Sequence, residues 1–222
     1  MQVVSSVPGS LAVFLIPHTN TSLKQAAEDW CAGGERKEAV KRRFGPIEEW
    51  EVSEVTDMEL LFNDQTEFNE NISKWNVSKV TTMGSTFAGA TSFNCDLSGW
   101  DVSKVENMNY TFEGATSFNC DLSGWDVSKV KYMNSTFEGA ASFNQTLSGA
   151  WSTSTAEKER MFVNCPGSIL KVLVTSTRAP TETHTHTHTH QPNPLTPQTA
   201  LNDYSNPTTK NKSWRFTYTQ NT

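Results

Sequence analysis

The stretch "GATSFNCDLSGWDVSKV" occupies residues 89–105 and recurs, letter for letter, at residues 114–130. Self-similarity at a fixed period of about 20 to 50 residues is typical of arrays in which each unit stacks on its neighbours. Trp50, Trp75, Trp100 and Trp125 follow the same 25-residue spacing, and Trp151 comes 26 residues after the last of them. The sequence therefore predicts four stacked coils that begin near residue 50, followed by a degraded fifth coil.

Apolar residues recur at fixed positions of the coil when each tryptophan is counted as position 0. Valine recurs at positions 2 and 5, methionine at position 8, and phenylalanine at positions 12 and 18. Residues at one position of successive coils should stack in a column, and the columns together should form the core. The main predicted core residues are Trp50, Trp75, Trp100, Trp125, Met83, Met108, Met133, Phe87, Phe112, Phe137, Phe93, Phe118 and Phe143.

The spacing within a coil predicts its local structure. Positions 5, 8, 12 and 15 are separated by three or four residues, as on one face of a helix, whereas positions 18, 20 and 22 alternate as on one face of a strand. We expect a short helix and a short strand in each coil, with glycines at positions 14 and 24 turning the chain. Lys74 replaces the second glycine in coil 1. Because lysine tolerates a positive φ poorly, we expect that coil to turn differently.

A helical segment precedes coil 1. Leu23, Ala27 and Trp30 share one helical face after Asn20 or Thr21, either of which can cap a helix, and a second helix is predicted through residues 35–44. Since a stacked array needs a cap over its terminal core, we predict a helical cap over residues 20–48 and the array over residues 49–166. Residues 1–19 are predicted to be a disordered N-terminus, and residues 167–222 a disordered low-complexity tail, whose start "SILKVLVTS" can add one edge strand.

The tail contains the tract "THTHTHTH" at residues 183–190. In a strand its four histidines would share one face, and neutral imidazoles bind transition metals. Translation of a simple dinucleotide repeat also produces alternating threonine and histidine, and we favour this origin.

Charge and motifs exclude several functions. The net charge is −6, and residues 50–149 hold 5 Lys and Arg against 14 Asp and Glu. An array this acidic should repel a phosphate backbone, so we predict no nucleic-acid partner. No apolar run is long enough for a transmembrane segment. Because no histidine lies between His18 and His184 and no phosphate-cradling glycine motif is present, we predict a protein that is not an enzyme and holds no cofactor.

Cys95 and Cys120 occupy the same position in adjacent coils. Their backbones are close enough in the predicted stack for a disulfide. Two stacked free thiols satisfy the same spacing, and we favour the thiols.

Polar residues also form columns, and these are the candidate binding residues. Position 21 carries Asn71, Asp96, Asp121 and Thr146, and position 1 carries Asp101 and Asp126. If positions 18 and 22 point inward, position 21 points outward. Stacked carboxylates repel one another, and a Ca²⁺ ion between coils would relieve the repulsion; a solvated acidic face is the simpler interpretation.

Two further sets of positions bear on function. Asn69, Asn94, Asn119 and Asn144 form a column at position 19, which we interpret as structural because stacked asparagines hydrogen-bond from coil to coil. Positions 6, 7, 9, 10 and 13 differ most between coils and are the alternative carriers of partner specificity.

Seven N-x-S/T sequons also occur, a modest excess over chance that favours a secretory route.

The repeat "WDVSKVENMNYTFEGATSFNCDLSGWDVSKV" closely resembles the BspA-like surface-protein repeats, over roughly residues 20–166. The resemblance implies an α/β repeat solenoid of the leucine-rich-repeat type, right-handed, with short parallel strands. It also implies a protein-interaction or cell-surface adhesion scaffold, located at the cell surface or outside the cell, whose partner is a protein or cell-surface ligand. The alternative is a calcium-stabilised extracellular structural scaffold.

Overall fold

A computed structural model of the chain describes residues 18–171. The predicted disorder of residues 1–17, most of the predicted tail and the Thr-His tract therefore lie outside the described residues. His18 and Thr19, which the sequence analysis assigned to a disordered N-terminus, belong to the helical cap. His18 is fully buried, and its backbone N–H donates to the Glu51 carbonyl over 2.8 Å.

The cap consists of helix α1 (Asn20–Ala32), helix α2 (Gly34–Phe44) and a 3-10 turn (Ile47–Glu49). The residue that caps α1 is Thr19, one position before the predicted Asn20, because its side chain accepts from the Ser22 N–H in a capping box. Leu23, Ala27 and Trp30 are buried as the helical spacing predicts.

The predicted columns form the core. All thirteen predicted core residues are buried, and successive phenylalanine rings at position 12 stack with centroids 5.5 to 5.7 Å apart. Within one coil the two phenylalanine columns also stack on each other, with Phe112 and Phe118 centroids 4.1 Å apart. Each indole N–H of the tryptophan column is satisfied by a backbone carbonyl, as where Trp125 Nε1 donates to Leu97 over 2.9 Å. The tryptophan column therefore ties each coil to the one before it.

Backbone hydrogen bonds between coils follow an alternating rule over positions 8 to 14. The N–H groups at even positions donate to the next coil: Met108 to Tyr132 over 2.8 Å, and Phe112 to Thr136 over 2.9 Å. The N–H groups at positions 11, 13 and 15 donate within their own coil, as where Thr111 donates to Met108 over 3.3 Å. The same pattern holds in coils 1 to 4. Over these positions each coil thus donates four parallel N–H···O bonds to the next coil.

The prediction of a helix in every coil is wrong, and the predicted strand is present only in coil 4. The helical spacing comes from a run of hydrogen-bonded turns, for example residues 109–114. Positions 10 and 14 have positive φ there, which no α-helix allows. Parallel bridges join the coils at position 7 rather than over positions 18 to 22, through Asp57, Thr82, Asn107, Tyr132 and Glu157. Within coils 1 to 4, as described, the only extended strand is β1 (Thr146–Leu147).

The last coil departs from the period at its start. A short helix α3 (Ala150–Thr153) absorbs the extra residue, so that Trp151 still stacks on Trp125 with centroids 6.5 Å apart. Strand β2 (Ser168–Ile169) then pairs in parallel with β1. The predicted boundary at residue 166 is therefore too early, since residues 167–171 belong to the array and supply the predicted edge strand.

The two recurring glycine positions differ in conformation. Gly114 at position 14 has a φ of 63°, and in coil 1 Asp64 adopts the same left-handed conformation with a φ of 59°. At position 24, by contrast, Gly99 and Gly124 do not have positive φ, whereas Gly149, which directly precedes helix α3, has a φ of 61°. Lys74 therefore fits that position without strain, and the expectation that coil 1 turns differently is wrong.

Candidate interaction surfaces

The predicted binding residues are all exposed and form what we call the acidic face: Asn71, Asp96, Asp121 and Thr146 at position 21, with Asp101 and Asp126 at position 1. Most of them cap a local turn. The Asp96 Oδ1 atom accepts from the Ser98 N–H over 2.9 Å, and the Asp101 Oδ1 atom accepts from the Ser103 N–H over 3.0 Å. Asn71 makes the same contact to Ser73. Thr146 differs, since its hydroxyl pairs with the Ser168 hydroxyl at 3.3 Å.

These turns keep the carboxylates charged. The Ser98 backbone N–H and hydroxyl lower the pKa of Asp96, and the Ser103 hydroxyl and N–H lower the pKa of Asp101 in the same way. Among residues 18–171, no three His, Cys, Asp or Glu side chains are grouped so as to hold a metal ion. Calcium binding stays a prediction without a grouped site to support it.

The asparagine column at position 19 is structural, as predicted. The backbone N–H of Asn94 donates to the Asn69 Oδ1 atom over 2.9 Å, and Asn119 donates in turn to Asn94 over 2.9 Å. A second asparagine ladder at position 9 was not predicted. There the Asn134 N–H donates to Asn109 Oδ1 over 2.8 Å. The 25-residue recurrence of Asn109 and Asn134 was the available signal.

The cysteines are free thiols in the described structure, which favours the stacked-thiol interpretation over a disulfide. The Cys120 thiol lies 3.3 Å from the Asp96 Oδ1 atom. Burial, reinforced by that carboxylate, raises the pKa of Cys120 to about 11. A thiol this weakly acidic is a poor nucleophile at neutral pH.

The variable positions carry the large exposed apolar side chains. Leu60 is 58% exposed, Tyr110 42% and Tyr132 44%, in a molecule whose repeated aromatic residues are otherwise buried. We call positions 6, 7, 9, 10 and 13 of coils 1 to 4 the variable ridge. Lys131 and Glu106 form a 2.6 Å ion pair along it, and with Lys129 and Glu157 they border a shallow depression beside Tyr132. Charged and aromatic groups therefore alternate on this surface.

Two of these exposed side chains occupy an unfavourable backbone conformation. Leu60 and Tyr110 stand at position 10 with φ of 62° and 59°, and Ser85 and Ser135 adopt the same conformation in the other coils. A bulky residue in this region costs about 1 kcal/mol relative to glycine. Neither side chain is needed for the core, so packing does not explain why a bulky residue stands there.

The ridge also contains the one carboxylate of the described coils whose pKa is raised. Burial and the neighbouring carboxylate of Glu138 raise the pKa of Glu113. No histidine, and no thiol of lowered pKa, lies among residues 19–171 to act with it. Burial, with the stacking of equal residues at position 13 as the second cause, therefore accounts for the raised pKa of Glu113.

The described residues contain no helix long and apolar enough to cross a membrane. Stacked coils, repeated aromatic columns and two elongated exposed surfaces define a tandem-repeat protein. The family model described as "Mycoplasma protein of unknown function, DUF285" matches residues 36–151, more than half of the chain, and the chain belongs to this family. The match runs from α2 through coil 4 to Trp151. A comparison with curated proteins and one with solved structures each find no match.

Proposed function

We propose that this chain is a non-enzymatic scaffold that binds a protein partner through the variable ridge. The observation that carries the proposal is the exposure of Tyr110 and Tyr132 on a surface whose residues change from coil to coil. Tyrosine is enriched at protein interfaces because it offers a large contact area and one hydrogen-bonding group at low entropic cost. An exposed apolar residue kept in a strained conformation is a second reason to assign a function to this surface.

The variable ridge is a better candidate than the acidic face that the sequence analysis favoured. The aspartates of the acidic face repeat unchanged between adjacent coils, at position 21 in coils 2 and 3 and at position 1 in coils 3 and 4. Each has one oxygen engaged in its own turn. Identical, solvated carboxylates keep an array soluble but distinguish poorly between partners. The ridge offers different side chains in each coil. Specific recognition is therefore easier to build on the ridge.

We include the fold type in the same proposal: a right-handed, leucine-rich-repeat-like solenoid of the BspA-like surface type. Its support is the repeated motif itself and the parallel stacking of coils at position 7. A location at the cell surface is proposed with it. Three of the seven sequons, at Asn71, Asn76 and Asn144, have exposed asparagines that a secretory route would make available for glycosylation.

A position-specific crosslinking experiment tests the ridge. A photo-reactive amino acid is placed at residue 110 or 132, and the full chain is irradiated on intact cells of its source. We expect a discrete crosslinked protein from both ridge positions and none from residue 98, a matched exposed position on the acidic face. Crosslinking at residue 98 but at neither ridge position would overturn the proposal.

A pair of glycine variants separates binding from folding. Tyr110→Gly removes the aromatic group and relieves the left-handed strain, so we expect the protein to become more stable by about 1 kcal/mol while the crosslink from residue 132 weakens. Ser85→Gly relieves the same strain in coil 2 without removing an aromatic group, and should stabilise the protein while leaving the crosslink unchanged.

A further inference from the structure

Six of the seven sequons lie within residues 18–171, and the fold divides them into two groups. Three of the asparagines are engaged at a contact between the cap and coil 1 or between two coils: Asn20, Asn109 and Asn134. The other three are exposed and stand outside the variable ridge, at positions 21, 1 and 19: Asn71, Asn76 and Asn144. The same three-residue motif therefore occurs in two kinds of surroundings.

N-glycosylation places a demand on the side-chain amide nitrogen. The Nδ2 atom attacks the first sugar carbon of an oligosaccharide that is linked to a lipid diphosphate. The N–C bond forms, the C–O bond to the diphosphate breaks, the amide loses one proton, and the lipid diphosphate leaves. Because the attached glycan is bulky, a folded chain accommodates it only where Nδ2 faces solvent.

Asn71 and Asn76 meet this demand. The Asn71 Oδ1 atom accepts from the N–H and the hydroxyl of Ser73 over 3.1 and 2.7 Å. The Asn76 Oδ1 atom accepts from the Ser78 N–H over 3.2 Å. Within residues 18–171 neither Nδ2 atom donates to a protein group, and both side chains are exposed. Each turn thus holds the oxygen and leaves the nitrogen open to water or to a sugar.

Asn144 ends the asparagine column at position 19. Its backbone N–H donates to the Asn119 Oδ1 atom over 3.1 Å, as the ladder requires. Coil 5 then departs from the ladder, and the Ser168 N–H donates to the Gln145 carbonyl over 3.0 Å. The side chain of Asn144 is therefore exposed without an N–H donor from the described part of coil 5.

The two ridge sequons differ in both respects. The Asn134 Oδ1 atom accepts from the Glu159 N–H over 2.8 Å, and its Nδ2 atom donates to the Glu157 carboxylate over 3.2 Å. Asn109 is half-buried, its Oδ1 atom accepts from the Asn134 N–H, and its sequon threonine, Thr111, is fully buried. A glycan at either position would have to fit among the side chains of stacked coils.

The cap sequon is engaged through both side-chain atoms. The Asn20 Oδ1 atom accepts from the N–H groups of Thr56 and Asp57, and its Nδ2 atom donates to the Thr56 hydroxyl over 3.0 Å. A glycan on this nitrogen would separate α1 from coil 1.

We propose that the folded protein carries N-linked glycans at Asn71, Asn76 and Asn144, and none at the three engaged sequons. The inference rests on the proposed location at the cell surface, because a secretory route supplies the lipid-linked sugar donor. Asn71 belongs to the acidic face, Asn76 continues its position-1 column, and Asn144 lies two residues before its Thr146. The glycans therefore cover the acidic face and leave the variable ridge open to a partner.

Site occupancy in the native protein tests the proposal. The full chain is purified from its source, and its N-glycans are released enzymatically in heavy-oxygen water, which converts each glycosylated asparagine to a mass-labelled aspartate. Peptide mass spectrometry should find the label at Asn71, Asn76 and Asn144. The peptides that contain the three engaged sequons should be unlabelled.

Variants expressed in the same source assign the glycans to individual sites. Ser73→Ala removes the sequon of Asn71 and should lower the intact mass by one glycan, whereas Ser73→Thr keeps the sequon and should keep the glycan. Asn109→Asp is the matched control on the ridge, because it removes a sequon and keeps the oxygen that accepts from the next coil. It should leave the glycan content unchanged.

Two results would overturn the proposal. Absence of the label from Asn71, Asn76 and Asn144 would reject the sites, and a label at Asn109 or Asn134 would reject the division between the two surfaces. Neither result decides the proposed function, since the crosslinks from residues 110 and 132 test the ridge by themselves. An unlabelled protein recovered from the cell surface would reject the glycan sites and leave the proposed location intact.

Discussion

The backbone N–H at position 6 has different acceptors in coil 3 and in coil 1, which lies next to the helical cap. In coil 3 the N–H of Glu106 donates to the Thr81 carbonyl of the coil before it over 2.8 Å. Coil 1 has no coil before it, and there the N–H of Thr56 donates to the Asn20 side chain over 2.9 Å. In the interior of the array the acceptor is therefore a carbonyl of the preceding coil, whereas coil 1 depends on one side chain of the cap. A substitution should therefore act through packing in the interior and through individual hydrogen bonds in the cap.

The largest expected effect is in the interior. Trp100 is buried between neighbouring coils, and its indole donates to the Ile72 carbonyl over 3.2 Å. We expect Trp100→Ala to lower the free energy of unfolding by about 3–5 kcal/mol, because it leaves a cavity and an unsatisfied carbonyl. Chemical denaturation measures the loss, with the exposed Lys104→Ala as the matched control. A Trp100→Ala protein as stable as that control would contradict the columnar core.

The cap should respond to loss of one acceptor. Asn20→Ala leaves the N–H groups of Thr56 and Asp57 without the side-chain oxygen that they share. Since Thr56 is exposed and water can replace part of the bond, we expect a loss of about 1 kcal/mol in the free energy of unfolding. Asn20→Asp keeps an acceptor and should lose less than half as much. If Asn20→Ala and Asn20→Asp lower the free energy of unfolding equally, the side-chain oxygen of Asn20 does not account for the loss.

The turns should distinguish two glycines that look equivalent in the sequence. Gly114 has a φ of 63° with room for a methyl group, so Gly114→Ala is expected to cost about 1 kcal/mol of strain. Gly124 has an ordinary φ and no atom within 4 Å of an added Cβ. Gly124→Ala should be neutral or slightly stabilising, because alanine restricts the unfolded chain. Thermal unfolding of the two variants side by side measures the difference, and the reverse order would refute the turn geometry.

The smallest effect expected is a pH dependence at the cap. His18 is buried against Phe44 and Trp50, with ring centroids 4.4 and 5.0 Å away. Burial lowers its pKa from the usual 6.5, and the nearby charge of Arg43 lowers it further, while Ser22 opposes the shift. The unfolded chain therefore takes up a proton first as the pH falls below 6.5, and stability is lost from there towards the lowered folded pKa.

Urea denaturation between pH 7.5 and 5 measures that loss. His18→Phe keeps an aromatic ring and removes the titrating group, so its stability should be flat over this interval. Asp96, Asp101 and Asp126 of the acidic face do not interfere, because their lowered pKa values place their titration at more acidic pH. A dependence that persists in His18→Phe would assign it to another group.

The columns could be predicted from the sequence because burial repeats with the period of the chain, and the same holds for the asparagine ladder. The backbone path within a coil could not. A spacing of three and four residues describes a helix, and it equally describes a series of three-residue turns with left-handed residues at positions 10 and 14. Nothing in the letters at position 10, which include Leu60 and Tyr110, indicates a positive φ. The role of the acidic columns could not be predicted for the same reason. Their aspartates cap local turns, and this depends on the backbone path within the coil.

Deletion of one whole period tests the stacked-coil account most directly. Removing residues 100–124 joins Gly99 to Trp125, so the chain continues with the residue type that it had before. We predict that this shortened protein still unfolds in one cooperative transition, at lower denaturant concentration than the full chain. A matched deletion of residues 100–119 breaks the 25-residue register and should not fold. If the two deletions behave alike, both folded or both unfolded, the coils are not the interchangeable units described above.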